Sequence, residues 1–241
     1  MRNIFNLDNR LEACANMVDR GKKFIDVGTD HAYLPIWLIL NGIIDEAIAV
    51  DVREEPLKKA KNNIIKYGLE DKIKTIKTDG LNNISKEDCE NIVIAGMGAD
   101  TIVSIIENAC WLKECKNLKL ILQPMTAAER LRRYLSKNNY NICKEVVVES
   151  NSKVYSVMEV KIGKSEYLKD VYPYVGKIFE TYPVNYIQKE ATLIYVEKEI
   201  LNLSNRVKGL KIRNKEKEAI FLSEVIKKIE KEKELYCEYN I

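Results

Sequence analysis

Hydrophobic positions change their period along this chain, and the change divides it. Up to about residue 163, short apolar runs alternate with stretches of helical spacing; beyond that point helical spacing continues with dense charge. Leu7, Leu11, Ala15 and Val18 share one helical face and predict a helix over 7–18. KKFIDVG (22–28) reads as a strand running into a glycine turn, LPIWLILNG (34–42) as a helix closed by Gly42, and EAIAVD (46–51) as a second strand. EPLKKAKNNIIKYG (55–68) predicts a helix with Pro56 in its first turn and Gly68 as its stop. IKTIKTDG (73–80) and NIVIAGMG (91–98) are strands, ADTIVSIIENAC (99–110) a helix, and LKLILQP (118–124) a strand stopped by Pro124. TAAERLRRYLSKNN (126–139) predicts a helix with Thr126 and Glu129 as a capping box. NICKEVVVESNSKVYSVMEVKIG (141–163) reads as two strands around a polar turn, an antiparallel hairpin.

Strands alternating with helices predict an α/β fold: a Rossmann-like, doubly wound, mostly parallel seven-stranded sheet with an antiparallel terminal strand. Residues 1–163 form that domain. Residues 164–241 form a second, helical one, with a short helix in two pieces over 167–182 and two long helices after Val184. Ile187, Ile194 and Leu201 recur every seven residues, as do Leu193, Ile200 and Val207; Ile220, Phe221, Val225, Ile226 and Ile229 repeat the pattern. Such rows predict an antiparallel coiled-coil-like arm, with its bend at KGLKIRNK (208–215) around Gly209.

In an open α/β sheet the ligand crevice lies at the carboxyl ends of the strands. Here those ends carry Asp26, Gly28, Thr29 and Asp30; Asp51 and Val52; Asp79 and Gly80; Ala95, Gly96, Met97 and Gly98; and Gln123 and Pro124. A dinucleotide pyrophosphate wants G-x-G-x-x-G at the first turn. This turn has one glycine followed by Asp30, whose carboxylate repels phosphate. S-adenosylmethionine carries no phosphate but a sulfonium and an ammonium, which suit an acidic rim. Asp51 would accept from the ribose hydroxyls, Asp79 from the adenine amino group with Gly80 allowing close approach, and Gly96–Gly98 would pass the methionine part. Singly, each acid is better explained as a cap or a solvated turn; the set carries the reading.

Composition narrows the setting. Of 241 residues 46% are hydrophobic, and no apolar run approaches the ~20 residues of a membrane span. MRNIFNLDNRLE lacks an apolar signal core, so no membrane and a cytoplasmic location are expected. Six cysteines form no C-x-x-C pair and there is one histidine, so no metal site is expected and most cysteines read as small buried hydrophobes. A net charge of +3 is compatible with a nucleic-acid partner only if the positive groups gather.

DVGTDHAYLP (26–35), AVDVREEPLKKAKNN (49–63), TDGL (78–81), IAGMGADTI (94–102), LILQP (120–124) and the helical arm together resemble the bacterial tRNA (adenine-22 N1)-methyltransferase family over nearly the whole chain. The resemblance implies S-adenosylmethionine as cofactor and a D-loop adenine of tRNA as substrate. Two positions depart from the pattern: Ala99, where glycine is expected, and Met125, where a polar residue is expected.

Adenine N1 attacks with an in-plane lone pair and needs no prior deprotonation, so the protein mainly aligns the reacting atoms. Positive charge moves onto the purine, where a carboxylate would stabilise it and could later take a proton. Asp30 is the candidate, with His31 beside it as a proton shuttle or phosphate contact; a capping role for His31 is equally open. Tyr33 could stack on a base, whereas Trp37 lies in an apolar face and reads as core. A-G-M-G-A-D replaces the N/D-P-P-Y/F turn of amino-methylating enzymes, which leaves a ring nitrogen as target.

Substrate contacts are expected from Tyr33, Gln123, Pro124, Arg130, Arg133, Lys153 and Tyr155. Arg132 and Lys137, and the 206–217 cluster of the arm, would extend the positive surface. A monomer is expected. Three rivals remain: a small-molecule methyltransferase, a non-catalytic RNA- or protein-binding module, and a nicotinamide dehydrogenase, against which the missing glycine fingerprint argues.

Overall fold

Five of the apolar runs become parallel strands: β1 (Phe24–Val27), β2 (Ala47–Asp51), β3 (Ile73–Lys77), β4 (Asn91–Gly98) and β5 (Lys119–Thr126). The hairpin supplies β6 (Tyr140–Ser150) and β7 (Lys153–Ile162), joined by Asn151 and Ser152, both at positive φ as a two-residue turn requires. The sheet order is β3-β2-β1-β4-β5-β7-β6. β7 pairs antiparallel with both β5 and β6, so the one antiparallel strand is inserted next to β5 and β6 takes the edge. The computed structural model describes residues 5–115, 117–165, 170–181 and 185–239.

Both faces of the sheet are covered. Helices α1 (Asn9–Ala15), α2 (Tyr33–Leu40) and α3 (Glu54–Tyr67) bury one face, with Phe24, Ala49 and Val93 in the core beneath them. α4 (Ala99–Asn108) and α5 (Ala128–Lys137) bury the other, over Ile25, Val50, Ile92 and Leu120. Trp37 packs partly buried against the first core, as expected. The strand order reverses between β1 and β4, so the crevice opens where the first glycine turn faces the A-G-M-G segment.

Four local expectations are corrected. β5 does not stop at Pro124: Pro124 pairs with Met97 and Thr126 with Gly98. Pairing with β7 ends at Leu122, so the missing N–H of Pro124 leaves no ladder bond unmade on that side. Thr126 therefore belongs to β5 and caps no helix; α5 starts after Ala127 at φ 56, with no side-chain cap. Of the cysteines only Cys14 and Cys89 are buried; Cys110 and Cys143 are exposed and Cys115 and Cys237 intermediate. A thiol is a small hydrophobe, so where its element places it outweighs the little apolar surface it has to bury.

The fourth correction concerns the arm. α6 (Tyr172–Val175) precedes two long antiparallel helices, α7 (Tyr186–Ile212) and α8 (Glu216–Tyr239). Residues 167–169 and 182, over which helix was expected, lie outside the described residues. The row Ile187, Ile194, Leu201 points to solvent, at 66%, 43% and 61% exposure. Tyr195, Val196, Leu203 and Val207 face inward onto Ala219, Leu222, Val225 and Ile229, while Val147 and Val154 of the hairpin close the same core. Of the second row Val207 is buried, Ile200 only partly and Leu193 is not in the core, so the inward face matches neither seven-residue row. Ile220 and Phe221 are likewise exposed. The bend lies at Arg213, Asn214 (φ 56) and Lys215, and Gly209 is inside α7.

Arg132, expected on the positive surface, is fully buried. Its guanidinium donates to Glu145 Oε1 at 2.7 and 3.0 Å, to Tyr195 Oη at 2.8 Å, and to the carbonyls of Pro173 and Tyr174 at 3.2 and 2.7 Å. This one side chain ties α5, β6, α6 and α7 together.

Candidate active site

β1 delivers its carboxylate and glycine to the switch point by burying FIDV completely. Gly28 and Thr29 donate their N–H groups to the Val50 carbonyl at 2.8 and 2.9 Å, which fixes the turn onto β2. Gly28 has φ +80, and the ε-methyl of Met97 occupies the space a Cβ would need. Only glycine meets both conditions. Thr29 Oγ1 accepts from Ala32 N at 3.2 Å, closing the loop into α2.

Three acids behave differently on this rim. Asp26 is 8% exposed; burial raises its carboxyl to about 6, the Thr29 hydroxyl bond lowers it in part, and the Asp51 charge adds to the rise. No cation pairs with Asp26 among the described residues. Asp51 is buried at the end of β2, its Oδ1 accepting from Arg53 N at 2.7 Å with Arg53 Nε at 3.5 Å. Val52 beside it is 54% exposed, an apolar patch on a polar rim. Asp79 is exposed after β3, and Gly80 has φ +58 with Ile105 3.0 Å from where a Cβ would sit. A cleft of about 340 Å³ opens beside Asp79, Gly80, Asp100 and Ser104.

The A-G-M-G segment is a bulged continuation of β4. Its register shifts between Ala95 and Met97, with Gly96 at φ +78. Gln123 holds it: Oε1 accepts from Gly96 N at 3.0 Å and from Arg10 Nη1 at 3.2 Å, while Nε2 donates to the Pro124 carbonyl at 3.0 Å. Gln123 and Pro124 are buried: Gln123 positions the bulge, and Pro124 lies in the sheet.

Asp30, His31 and Tyr33 share the loop into α2. The Asp30 carboxylate is 62% exposed, with His31 Nε2 3.4 Å away. The His31 ring stacks on Tyr33 at 5.0 Å and 7°, and Phe5 tilts against Tyr33 at 5.1 Å. Asn63 Nδ2 donates to the His31 carbonyl at 2.9 Å. Tyr155 reaches the same edge of the sheet, and Lys153 opens its strand, exposed. Arg130 and Arg133 are partly spent: Arg130 pairs with Asp100 and Arg133 with Glu129 at 2.9 Å.

Arg10 escaped the sequence reasoning. Its guanidinium joins Gln123 and Asp8, touches Met125 Sδ at 3.5 Å, and lies 5.8 Å from the Tyr155 ring centroid. These partners are 113 to 145 positions away in sequence apart from Asp8, so no local pattern marks it. Met125, the departure from the family pattern, is thus a sulfur acceptor for that guanidinium.

The buried Asp26 carboxylate, met by the Thr29 hydroxyl but by no cation among the described residues, and the half-used Asp51 fit a cationic ligand that also carries a ribose diol. Among the described residues no group of histidine, cysteine, aspartate and glutamate is arranged to hold a metal ion.

A methyltransferase-domain family model matches residues 7–158. The chain is 37% identical over 161 residues to the tRNA (adenine(22)-N(1))-methyltransferase of Bacillus subtilis (strain 168), an alignment covering 67% of each chain. The crystal structure of the B. subtilis m1A22 tRNA methyltransferase TrmK superposes with a TM-score of 0.77 at 28% identity, over 93% of this chain and 98% of that one. M. capricolum TrmK, solved with S-adenosyl-homocysteine, gives 0.74 at 27% identity, over 92% and 99%. The likeness runs past the methyltransferase domain to more than nine-tenths of the chain, and the chain belongs to the bacterial tRNA (adenine-22 N1)-methyltransferase family.

Proposed function

We propose that this protein transfers a methyl group from S-adenosylmethionine to N1 of an adenine in tRNA, at position 22 of the D-loop. The observation that carries the cofactor assignment is the buried Asp26 carboxylate, which no cation among the described residues pairs. A buried carboxylate is costly unless a charge or hydrogen-bond donor meets it, and an ammonium or sulfonium would. The substrate follows from family membership.

When bound, S-adenosylmethionine supplies an activated methyl group. Asp26, Gly28 and Thr29 would hold its amino-acid end together with Ala95, Gly96, Met97 and Gly98. Asp51 and Val52 would hold the ribose, and Asp79 and Gly80 the adenine. Asp30 would face the target purine, stabilising the charge that develops there and taking the amino proton afterwards, with His31 as relay. Tyr33 offers a ring to a splayed base. Arg130, Arg133, Lys153 and Tyr155, with the 206–217 cluster of the arm, would meet RNA backbone. In this reading residues 1–163 do the chemistry and 164–241 hold the substrate, as a monomer in the cytoplasm. Among the described residues no helix is long and apolar enough to cross a membrane.

The test is incubation with labelled S-adenosylmethionine and unmodified tRNA, followed by nucleoside analysis. N1-methyladenosine at position 22 is the expected product. Methylated guanosine or N6-methyladenosine would overturn the substrate, and no uptake of label would overturn the activity.

A further inference from the structure

A cleft of about 820 Å³ opens at the far end of the arm, where α6 meets the end of α7 and the start of α8. Tyr174, Leu210 and Phe221 give it apolar and aromatic walls, and Arg213 and Lys217 stand on its rim. Arg206, which also lines it, is engaged: it donates to Glu129 at 2.7 Å and lies 5.7 Å from the Tyr174 ring centroid. Glu218 is turned to Lys215 at 2.9 Å. Arg213 and Lys217 are exposed, and neither has an ion-pair partner among the described residues.

Gly209 is the second observation. It lies inside α7, four residues before the cap Arg213, in ordinary negative-φ backbone. No turn, cap or close approach requires it: a Cβ there would meet nothing within 4 Å. Glycine is among the least favourable residues inside a helix, so its presence is unexplained by the fold. It lines the cleft, and a side chain at 209 would project into the cleft. The residue missing from the wall is what leaves the space open.

An apolar, aromatic cleft rimmed by uncompensated cations matches one ligand chemistry, a base with its phosphate. Phe221 is 47% exposed, a cost that a stacked base would remove. The cleft also faces the reaction side of the sheet. Arg206 on its wall pairs with Glu129 in the first turn of α5, and the next residue, Arg130, pairs with Asp100 in the first turn of α4. Both first turns follow carboxyl ends of strands.

We propose that this cleft is a second RNA subsite, which takes an unpaired nucleotide of the substrate with its phosphate on Arg213 and Lys217 and its base against Phe221; Tyr174, buried and flanked by Arg133 and Arg206, forms the floor behind it. The proposal rests on the reading that the substrate is tRNA. It is tested in the full chain with Gly209→Met, which fills the space with a good helix former, Gly209→Ala as a small control, and Arg213→Gln/Lys217→Gln. The readouts are tRNA affinity across a salt series, methyl-transfer kinetics, S-adenosylmethionine affinity by calorimetry and thermal unfolding.

Gly209→Met is expected to weaken tRNA binding by roughly tenfold or more, the worth of a lost stacked base. Its unfolding temperature should not fall, and its S-adenosylmethionine affinity should not change. Gly209→Ala should bind tRNA as the unaltered chain does. The double variant should reduce the slope of log affinity against log salt by about 1.5 to 2. Unaltered tRNA affinity in Gly209→Met overturns the base site, and an unaltered salt slope overturns the phosphate contacts. Saturable binding of adenosine monophosphate, with tRNA affinity untouched by either variant, would hand the cleft to a free nucleotide and overturn the proposal too. Failure of the unaltered chain to methylate tRNA would instead sink the functional reading beneath it.

Discussion

Asp26→Asn separates what the buried carboxylate costs the fold from what it gives the ligand. Burial raises Asp26 from an ordinary value near 3.8 to about 6. At ~1.36 kcal/mol per unit this corresponds to about 3 kcal/mol of destabilisation once the group is ionised in the folded state. The sign follows from proton binding. Between pH 4 and 6 the folded chain keeps a proton on Asp26 that the unfolded chain has lost, so stability falls as pH rises through this window and levels off above it. Asparagine keeps the shape and an acceptor for the Thr29 hydroxyl but cannot ionise. Urea unfolding followed by circular dichroism should therefore find the variant more stable than the unaltered chain by about 2–3 kcal/mol at pH 8. The gap should close as pH is lowered towards 4. S-adenosylmethionine affinity should move the other way: roughly tenfold or more weaker at pH 8, with the difference shrinking below pH 6, where the native carboxyl is itself protonated. Stability curves that stay parallel from pH 4 to 8 would refute the buried-charge account. Undiminished cofactor affinity at pH 8 would refute the assignment of Asp26 to the cation.

Arg132→Met leaves Glu145 charged and buried and should cost about 3–5 kcal/mol in denaturant unfolding, whereas Arg132→Met/Glu145→Met should recover most of it. Asp30→Ala, at an exposed position, should leave the unfolding temperature and S-adenosylmethionine affinity in place while lowering methyl transfer to tRNA by about 10²-fold, read in single-turnover assays; full activity would end the role given to Asp30. Gly28→Ala must adopt φ +80 and displace the Met97 methyl, so calorimetry should show S-adenosylmethionine affinity falling about tenfold or more, and an unchanged affinity would mean the turn tolerates a side chain.

The parallel sheet was legible because its strands are buried on both faces and carry no competing period: IDV, AIAVD and NIVIAG can be little else. The rim was legible for a related reason. Each acid or glycine stands where an apolar run ends, and the topology brings those ends together. What escaped was set by contacts distant in sequence. Pro124 read as a stop, but its missing N–H falls on the side where β5 has no partner. Gln123 also holds the bulge, its amide meeting Gly96, Arg10 and Pro124, a role that no local pattern marks. In the arm, the two apolar rows of equal spacing drew attention away from Tyr195, Val196 and Leu203, which packing against the hairpin and α8 makes the inward face. Lys and Arg residues in α5 looked alike, yet one of three neighbouring arginines is fully buried.

That arginine also bears on how the two halves act together. A helical arm joined only by apolar contact can slide, because dispersion and burial depend weakly on direction. Arg132 adds direction. Its Nη1 donates to the α6 carbonyls, its Nη2 to both Tyr195 and Glu145 and its Nε to Glu145, and Glu145 Oε2 accepts from Lys177 N at 3.1 Å. Gly176 between them has φ 66, and a Cβ there would strike both Glu145 and Arg132. Burial alone would pull the guanidinium pKa down; Glu145 and Tyr195 more than offset that and keep it charged. Each partner sits on a different element, so any tilt of α7 against the sheet breaks a hydrogen bond in a place water cannot repair. The angle between sheet and arm is thereby held, and in the proposed reading an RNA that reaches both would meet two surfaces already at their working separation, which lowers the ordering cost of binding.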